Sequence, residues 1–344
     1  MTVKKIGILT GGGDCPGLNP AIRAAVLHSM DYKIQTIGIL DGWKGLIEGN
    51  TIPLNLEDVK NIIDKGGTIL GTSRTNPYKK EGGVEKCLNN IKNLGLDAII
   101  AMGGEDTLGV ANKLYKEHKV FVVGVPKTMD NDLSVTDYTF GFDTSVTIAC
   151  DAAARLIDTG KSHRRIMVLE VMGRHAGWVA LFTGIASGAD WILIPEKEPE
   201  IDTMLEHLKK VYSRQKYALV IISEGVIIPS IKTEKEELDE FGHMILKKRG
   251  IGEQIAKLIE EKTKIETRVA VIGHIQRGGS PTLFDRILAT RVGYKAVELV
   301  VEKKFGYMVA LKGNEIIPVS LEEATAKLKT VDDKWIKLMN AFFK

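Results

Sequence analysis

Residues Lys5 to Arg23 read KIGILTGGGDCPGLNPAIR, and this stretch decides the fold. Lys5 to Thr10 is an apolar run of strand length. Gly11-Gly12-Gly13 follows at once, and Asn19-Pro20 then offers an N-cap with proline at the first helical position. Strand, glycine loop, helix is the opening unit of an open α/β sheet, whose ligands sit beyond the carboxyl ends of the strands. Three glycines exceed the needs of a tight strand-to-helix turn. They leave backbone N–H groups open to a phosphate, and the helix start adds a favourable dipole.

The same grammar recurs outward from this unit. Ile34 to Leu40, Ala98 to Met102, Val120 to Val125, Arg165 to Val171, Trp191 to Pro195, Ala218 to Ser223 and Arg268 to Gly273 are further strand candidates. Near-continuous apolar strands separated by helix-length stretches indicate parallel sheet covered on both faces. Asp143-Thr144 opens one such helix, with Val146, Ala149, Ala153, Leu156 and Ile157 on one face and Gly160 as its stop. Residues 231–266 are charge-rich and read as a solvated helical region.

The chain has 344 residues, 44% hydrophobic and 26% charged, which excludes disorder, collagen and coiled coil and suggests about two domains. The best break falls near residue 140. A net charge of +3 gives no bulk reason for nucleic-acid or membrane binding. The N-terminal apolar run is too short for a signal peptide, and no window reaches the ~18 apolar residues of a membrane span. Cys15, Cys87 and Cys150 are odd in number and form no C-x-x-C pair, so neither a disulfide frame nor a zinc site is expected. These features lead us to expect a cytoplasmic protein with reduced thiols.

Gly103-Gly104, Gly173, Gly177 and Gly278-Gly279 follow strands as Gly11–Gly13 do. Six of the 12 arginines lie in or beside glycine loops: Arg74, Arg164, Arg165, Arg174, Arg268 and Arg277. Elsewhere lysine carries the surface charge. Arginine grips phosphate bidentately, so polyphosphate or sugar-phosphate binding is expected. Neither G-x-G-x-x-G nor G-x-x-x-x-G-K-[ST] can be aligned, which disfavours a dinucleotide enzyme and a P-loop NTPase.

Pro126 to Asp132 reads PKTMDND. Its two carboxylates beside a lysine and a threonine suit base catalysis or metal binding, and equally a polar turn capped by Asp and Asn. Glu105-Asp106-Thr107 is a second acidic loop. Mg²⁺ needs one or two carboxylates and completes its shell with phosphate oxygens and water. Acidic loops facing arginine- and glycine-rich loops make phosphoryl transfer the economical reading. His274 is a candidate phosphate or hydroxyl donor, Cys15 lacks the basic partner of a nucleophile, and Trp43 and Trp178 read as packing residues.

Seven ordered segments, GILTGGGDCPGLNPAIR, GGTILGTSR, MGGEDTLG, VPKTMDNDL, IMVLEVMGRHAGW, SEG and RVAVIGHIQRGGSP, resemble the phosphofructokinase family over about residues 4–290. The resemblance implies two similar Rossmann-like α/β domains with the active site in the cleft between them. On this basis residues 1–140 form the larger, donor-binding domain, rejoined by about 255–305. Residues 141–254 form the fructose 6-phosphate domain, and 306–344 a helical tail. It further implies phosphoryl transfer to O1 of fructose 6-phosphate. Asp130 would be the base, supported by Thr128 and Asp132. Arg174 and Arg74 would stabilise the transferring group. Met172, Gly173, Arg174, Glu224, His274 and Arg277 would hold the sugar phosphate. Arg165 and Arg268 would reach the neighbouring site of a homo-oligomer, a dimer or a tetramer. Gly12 and Gly104 would line the donor site, and Glu105 and Asp132 would hold Mg²⁺.

The donor turns on Asp106. ATP-dependent relatives carry glycine there, as G-G-D-G or G-G-E-G, whereas pyrophosphate-dependent ones carry aspartate and a P-K-T lysine, here Lys127. A carboxylate fills the space of the α-phosphate and repels it. Two like charges about 4 Å apart at an effective dielectric near 20 cost ~4 kcal/mol, roughly a thousandfold in binding. Pyrophosphate is the expected donor, with an ATP-dependent 6-phosphofructokinase as the alternative. Glu105 stands where the family usually has aspartate. A lipid or NAD kinase and a silent sugar-phosphate sensor are disfavoured by GHIQRGGSP and by the intact Asp130 and Asp132.

Overall fold

The computed structural model describes residues 3–229 and 250–343. Eleven strands are described: β1 (Lys5–Thr10), β2 (Gln35–Ile39), β3 (Thr51–Leu54), β4 (Ala98–Gly103), β5 (Val122–Pro126), β6 (Ile166–Val171), β7 (Trp191–Leu193), β8 (Ala218–Ser223), β9 (Thr267–Val271), β10 (Tyr307–Lys312) and β11 (Glu315–Ser320). They form a seven-stranded sheet in the order β11-β10-β5-β4-β1-β2-β3 and a four-stranded sheet in the order β7-β8-β6-β9. The small sheet is wholly parallel. In the large one only the β2–β3 and β10–β11 pairs are antiparallel.

Both sheets are covered on both faces. Ile6 and Ile8 of β1 enter one core layer and Leu9 the opposite one. In the small sheet Met167 and Leu169 of β6 pack on one side and Ile166 and Val168 on the other. This period-2 partition of continuous apolar runs is what buried parallel strands require. All eight strands expected from sequence are present, β1 and β8 with the expected ends and the others shifted by one to a few residues.

Three expectations are corrected. The first long helix, Leu18–Asp31, starts from Gly17, so Asn19 is inside it and is not its cap. The Asn19 side chain instead donates to Lys65 O and Gly66 O and accepts from Ile69 N, which pins the loop before Arg74. Residues 251–271 stay with the small sheet as the helix Ile251–Thr263 and β9. The chain returns only at the helix Leu283–Val301, which lies against Leu18–Asp31. There Gly293 leaves room that a Cβ would lose, 2.3 Å from Ala21 O. Of the charge-rich segment 231–266, residues 231–249 lie outside the described residues.

Finally, residues 306–344 do not form a simple helical tail. β10 pairs with β5, and β11 folds back on β10 through the two-residue turn Gly313-Asn314. That dipeptide between two strand-length runs is a hairpin signal, and Pro318 is tolerated because β11 is the sheet edge. The helix Asp333–Ala341 follows, with Trp335, Ile336 and Met339 packed in the core of the small sheet. Among the described residues no helix is long and apolar enough to cross a membrane.

Candidate active site

In the large sheet the chain leaves β1 toward β2 and later returns on the other side as β4. The loops after β1 and β4 therefore diverge and open a crevice at the topological switch point. Backbone bonds hold its rims together: Gly11 N donates to Met102 O at 3.0 Å and Lys127 N to Gly103 O at 3.0 Å. The loops after β6 and β8 and the short helical turn Gly273–Arg277 after β9 face it from the small sheet. The cleft is narrow, with a cavity of about 130 Å³ between the two sets of loops.

Gly12, Gly13, Arg74, Gly104, Glu105, Asp106, Lys127, Thr128, Asp130 and Asp132 line it from the large-sheet side. Met172, Arg174, His175, Glu224 and Arg277 line it from the other. Glu105 and Asp106 occupy the first turn of the helix Glu105–His118. Gly13 is needed for close approach, because a Cβ there would lie 2.6 Å from Arg277 Nη1. That guanidinium donates to Asp14 O at 3.0 Å.

The Asp130 loop is the most constrained part. Thr128 Oγ1 donates to Asp132 Oδ1 at 2.9 Å and accepts from Asp130 N at 3.2 Å. Thr139 Oγ1 braces the same turn by donating to Thr128 O at 2.6 Å. Asn131 and Val135 both have left-handed backbone, φ 52° and 57°. For a β-branched residue such as Val135 this is strain, which persists only where surrounding bonds impose it.

The Asp130 carboxyl is pushed up to about 6 by burial, reinforced by Asp132 and opposed by Arg277, Arg174 and Lys127. Its Oδ1 has no hydrogen-bond partner among the described residues. A half-buried carboxylate with one buried, unbonded oxygen and a pKa near neutrality suits a general base. Burial also raises Asp132 and Glu224. It lowers Lys127, whose Nζ donates to Gly13 O. These opposite shifts have one cause: a low-dielectric site disfavours both signs of charge until a ligand compensates them.

Four residues singled out from sequence are not on this cleft. Gly173 is buried behind it, where a Cβ would meet Ser223 Oγ at 2.7 Å. His274 is exposed on the turn after β9. Arg268 lies on edge strand β9, 51% exposed, and Arg165 pairs with Glu266 at 2.8 Å. Cys15 is fully buried, its thiol pushed up to about 12, as expected of a non-nucleophile. The cleft adds Gly13, Thr107, Met129, His175 and Leu328, which were not singled out as ligands from sequence. Thr107 belonged to the quoted acidic loop and His175 to a glycine-rich motif. Leu328 carries no local signal, because only the return of the C-terminal chain brings it there.

Two parallel sheets facing each other across a cleft of glycine loops, arginines and buried carboxylates define a two-lobed α/β phosphotransferase. The chain belongs to the phosphofructokinase family, whose sequence profile matches residues 5–300. It is 51% identical to a pyrophosphate–fructose 6-phosphate 1-phosphotransferase of Dictyoglomus thermophilum, over 100% of this chain and 99% of that one. It is 46% identical to an ATP-dependent 6-phosphofructokinase of Streptomyces coelicolor, over 96% and 97% of the two chains. Among solved structures, phosphofructokinase from Saccharomyces cerevisiae superposes with a TM-score of 0.83 at 28% identity, covering 98% of this chain and 49% of that one.

Proposed function

We propose that this protein transfers a phosphoryl group reversibly between pyrophosphate and O1 of fructose 6-phosphate, giving fructose 1,6-bisphosphate and phosphate. Asp106 carries the reading: a carboxylate lines the donor side of the cleft where a nucleoside triphosphate would need open space. Fructose 6-phosphate lies against Met172, Arg174, Glu224 and Arg277, with Gly173 shaping the loop. Asp130 accepts the O1 proton, and Thr128 holds Asp132 beside it. Arg74, Arg174 and Lys127 neutralise charge as the phosphoryl group passes, and Gly12 and Gly104 let the backbone approach it. Because the donor anhydride contains no nucleotide, the same residues serve the reverse reaction. There Asp130 returns its proton to O1.

Glu105 and Asp132 fit a Mg²⁺ site. Both line the cleft, and Glu105 is close enough to raise the Asp132 pKa. Among the described residues no three His, Cys, Asp or Glu side chains form a metal cage. Mg²⁺ needs none, since it takes one or two carboxylates and leaves its other positions to phosphate and water. Bound there, it would neutralise the pyrophosphate oxygens.

Arg165 and Arg268 fall outside the cleft because, in this reading, they serve the site of a second copy. Residues 271–287 support this with a row of exposed apolar side chains, including Ile275 at 68%, Leu283 at 78% and Ile287 at 53%. The enzyme is then a cytoplasmic homo-oligomer of two-lobed subunits. The deciding measurement is kcat/KM for pyrophosphate against ATP with purified protein and Mg²⁺. Pyrophosphate should win by roughly a thousandfold, the charge penalty for the α-phosphate beside Asp106. A tenfold preference for ATP overturns the donor assignment.

A further inference from the structure

Lys329 lies beyond the segment matched by the family profile, yet it touches both walls of the cleft. Its backbone N donates to Asp132 O at 2.7 Å. Its Nζ donates to Thr136 O at 3.1 Å and to Asp137 O at 2.6 Å. The ammonium also sits 5.8 Å from the Tyr138 ring centre and 5.4 Å from that of Trp178. Its carbonyl accepts from Trp178 Nε1 at 2.9 Å. Trp178 opens the helix Trp178–Ser187, which follows directly on the loop bearing Arg174. On either side, Leu328 pairs with Leu133 and lines the cleft, and Val331 N donates to Glu196 Oε1 at 2.9 Å. Glu196 in turn accepts from Gly177 N at 2.9 Å, in the Arg174 loop.

A half-buried lysine held by two carbonyls and two aromatic faces is partly desolvated, so its surroundings must gain from it. They gain a fixed loop. Strained Val135 lies between Leu133, which pairs with Leu328, and the two carbonyls that Nζ holds. The Asp130–Asp132 turn immediately precedes it.

We propose that Lys329 is a positioning residue for phosphoryl transfer: it clamps the Asp130 loop in its strained conformation and ties that loop to the Arg174 wall. The proposal rests on the reading of Asp130 as the base. It concerns orientation of the reacting groups, so it predicts a loss in turnover without a loss in sugar binding. Misplacing a reacting group by about 1 Å costs up to about 10²-fold in rate.

The test uses the full chain with pyrophosphate, Mg²⁺ and fructose 6-phosphate. Lys329→Met keeps the length of the side chain but removes its charge and donors. It should lower kcat by about 10- to 100-fold, while the Kd for fructose 6-phosphate measured by calorimetry stays within about twofold. Lys329→Arg should restore most of kcat, since a guanidinium can donate to both carbonyls and stack on both rings. If Lys329→Met does not fold, Trp178→Phe, which removes the N–H bonded to Lys329 O and part of the ring facing its ammonium, should lower kcat with the same unchanged Kd. Unchanged kcat in the variant that folds, or a sugar Kd that weakens in step with kcat, overturns the positioning role. Absence of transfer by the unaltered protein would instead overturn the proposed function.

Discussion

The Asp130 loop and the β9 edge both carry residues that the sequence linked to fructose 6-phosphate, but they solve different physical problems. The loop is buried, strained and held by bonds from three parts of the chain: Thr128 within it, Thr139 just after it, and Lys329 from the C-terminal segment. The edge is open. Among the described residues Arg268 forms ion pairs with Glu260 and Glu266, and apolar side chains stand exposed beside it. A loop that must orient a proton acceptor needs low dielectric and many constraints. The exposed edge has neither, and its ion pairs are of the solvated, weak kind.

The sharpest way to break this comparison is to remove one group from each region. Asp130→Ala should lower kcat by about 10²–10⁴-fold with a modest change in KM, and near-normal turnover would disqualify Asp130 as the base. Asp106→Gly, on the donor wall, should raise ATP use by up to about a thousandfold, incompletely while Lys127 remains. No gain in ATP binding or turnover would count against the charge argument. Arg268→Ala should raise the fructose 6-phosphate KM by about tenfold, the cost of one charge-assisted contact. Subunits carrying Arg268→Ala, mixed with Asp130→Ala subunits and reassembled, should recover activity, since each hybrid then contains one intact site. Failure to recover places Arg268 outside any shared site.

Two smaller effects follow from the raised Asp130 pKa. The base works only when ionised, so kcat/KM should fall by about tenfold per unit as pH drops below about 6. Stability runs the opposite way. A carboxyl whose folded pKa is raised favours the folded state when protonated, and that contribution is lost as pH rises through about 6. Asp130→Asn should therefore raise Tm at pH 8 by roughly 2–4 °C and have little effect below about pH 4, where the carboxyl is protonated in the unfolded chain as well. Equal Tm changes at the two pH values would mean that burial of the charge is not the cause.

Much of this was legible along the chain. Strands apolar on both faces, such as β1, β4, β6 and β8, announce themselves as short continuous runs, although β10, equally apolar, lies in the segment expected to be a helical tail. Glycine loops mark where such strands end. The acidic loop PKTMDND remained ambiguous locally, because a capped polar turn and a catalytic turn have the same composition. The structure places Asp130 in a partly buried cleft near Arg174 and Arg277, and such an environment is not a property of seven residues. Asn19 shows the reverse error: an N-cap residue in an ideal position serves instead as a clamp on Lys65, Gly66 and Ile69.

By itself the sequence determined a parallel α/β architecture, the chemistry of the loops, and Asp106 at the donor position. These depend on periodicity and residue type over a few positions, which side-chain transfer free energies and backbone sterics dictate locally. Only the tertiary structure decided which loops share one cleft, that Arg268 and His274 stand outside it, and that the C-terminal segment closes it. Lys329 and Thr136 are 193 residues apart, and their bond exists because β10 joins the large sheet beside β5 and carries the chain back past the Asp130 loop. Such contacts are set by where strands pair and how helices cover them, which no local pattern records.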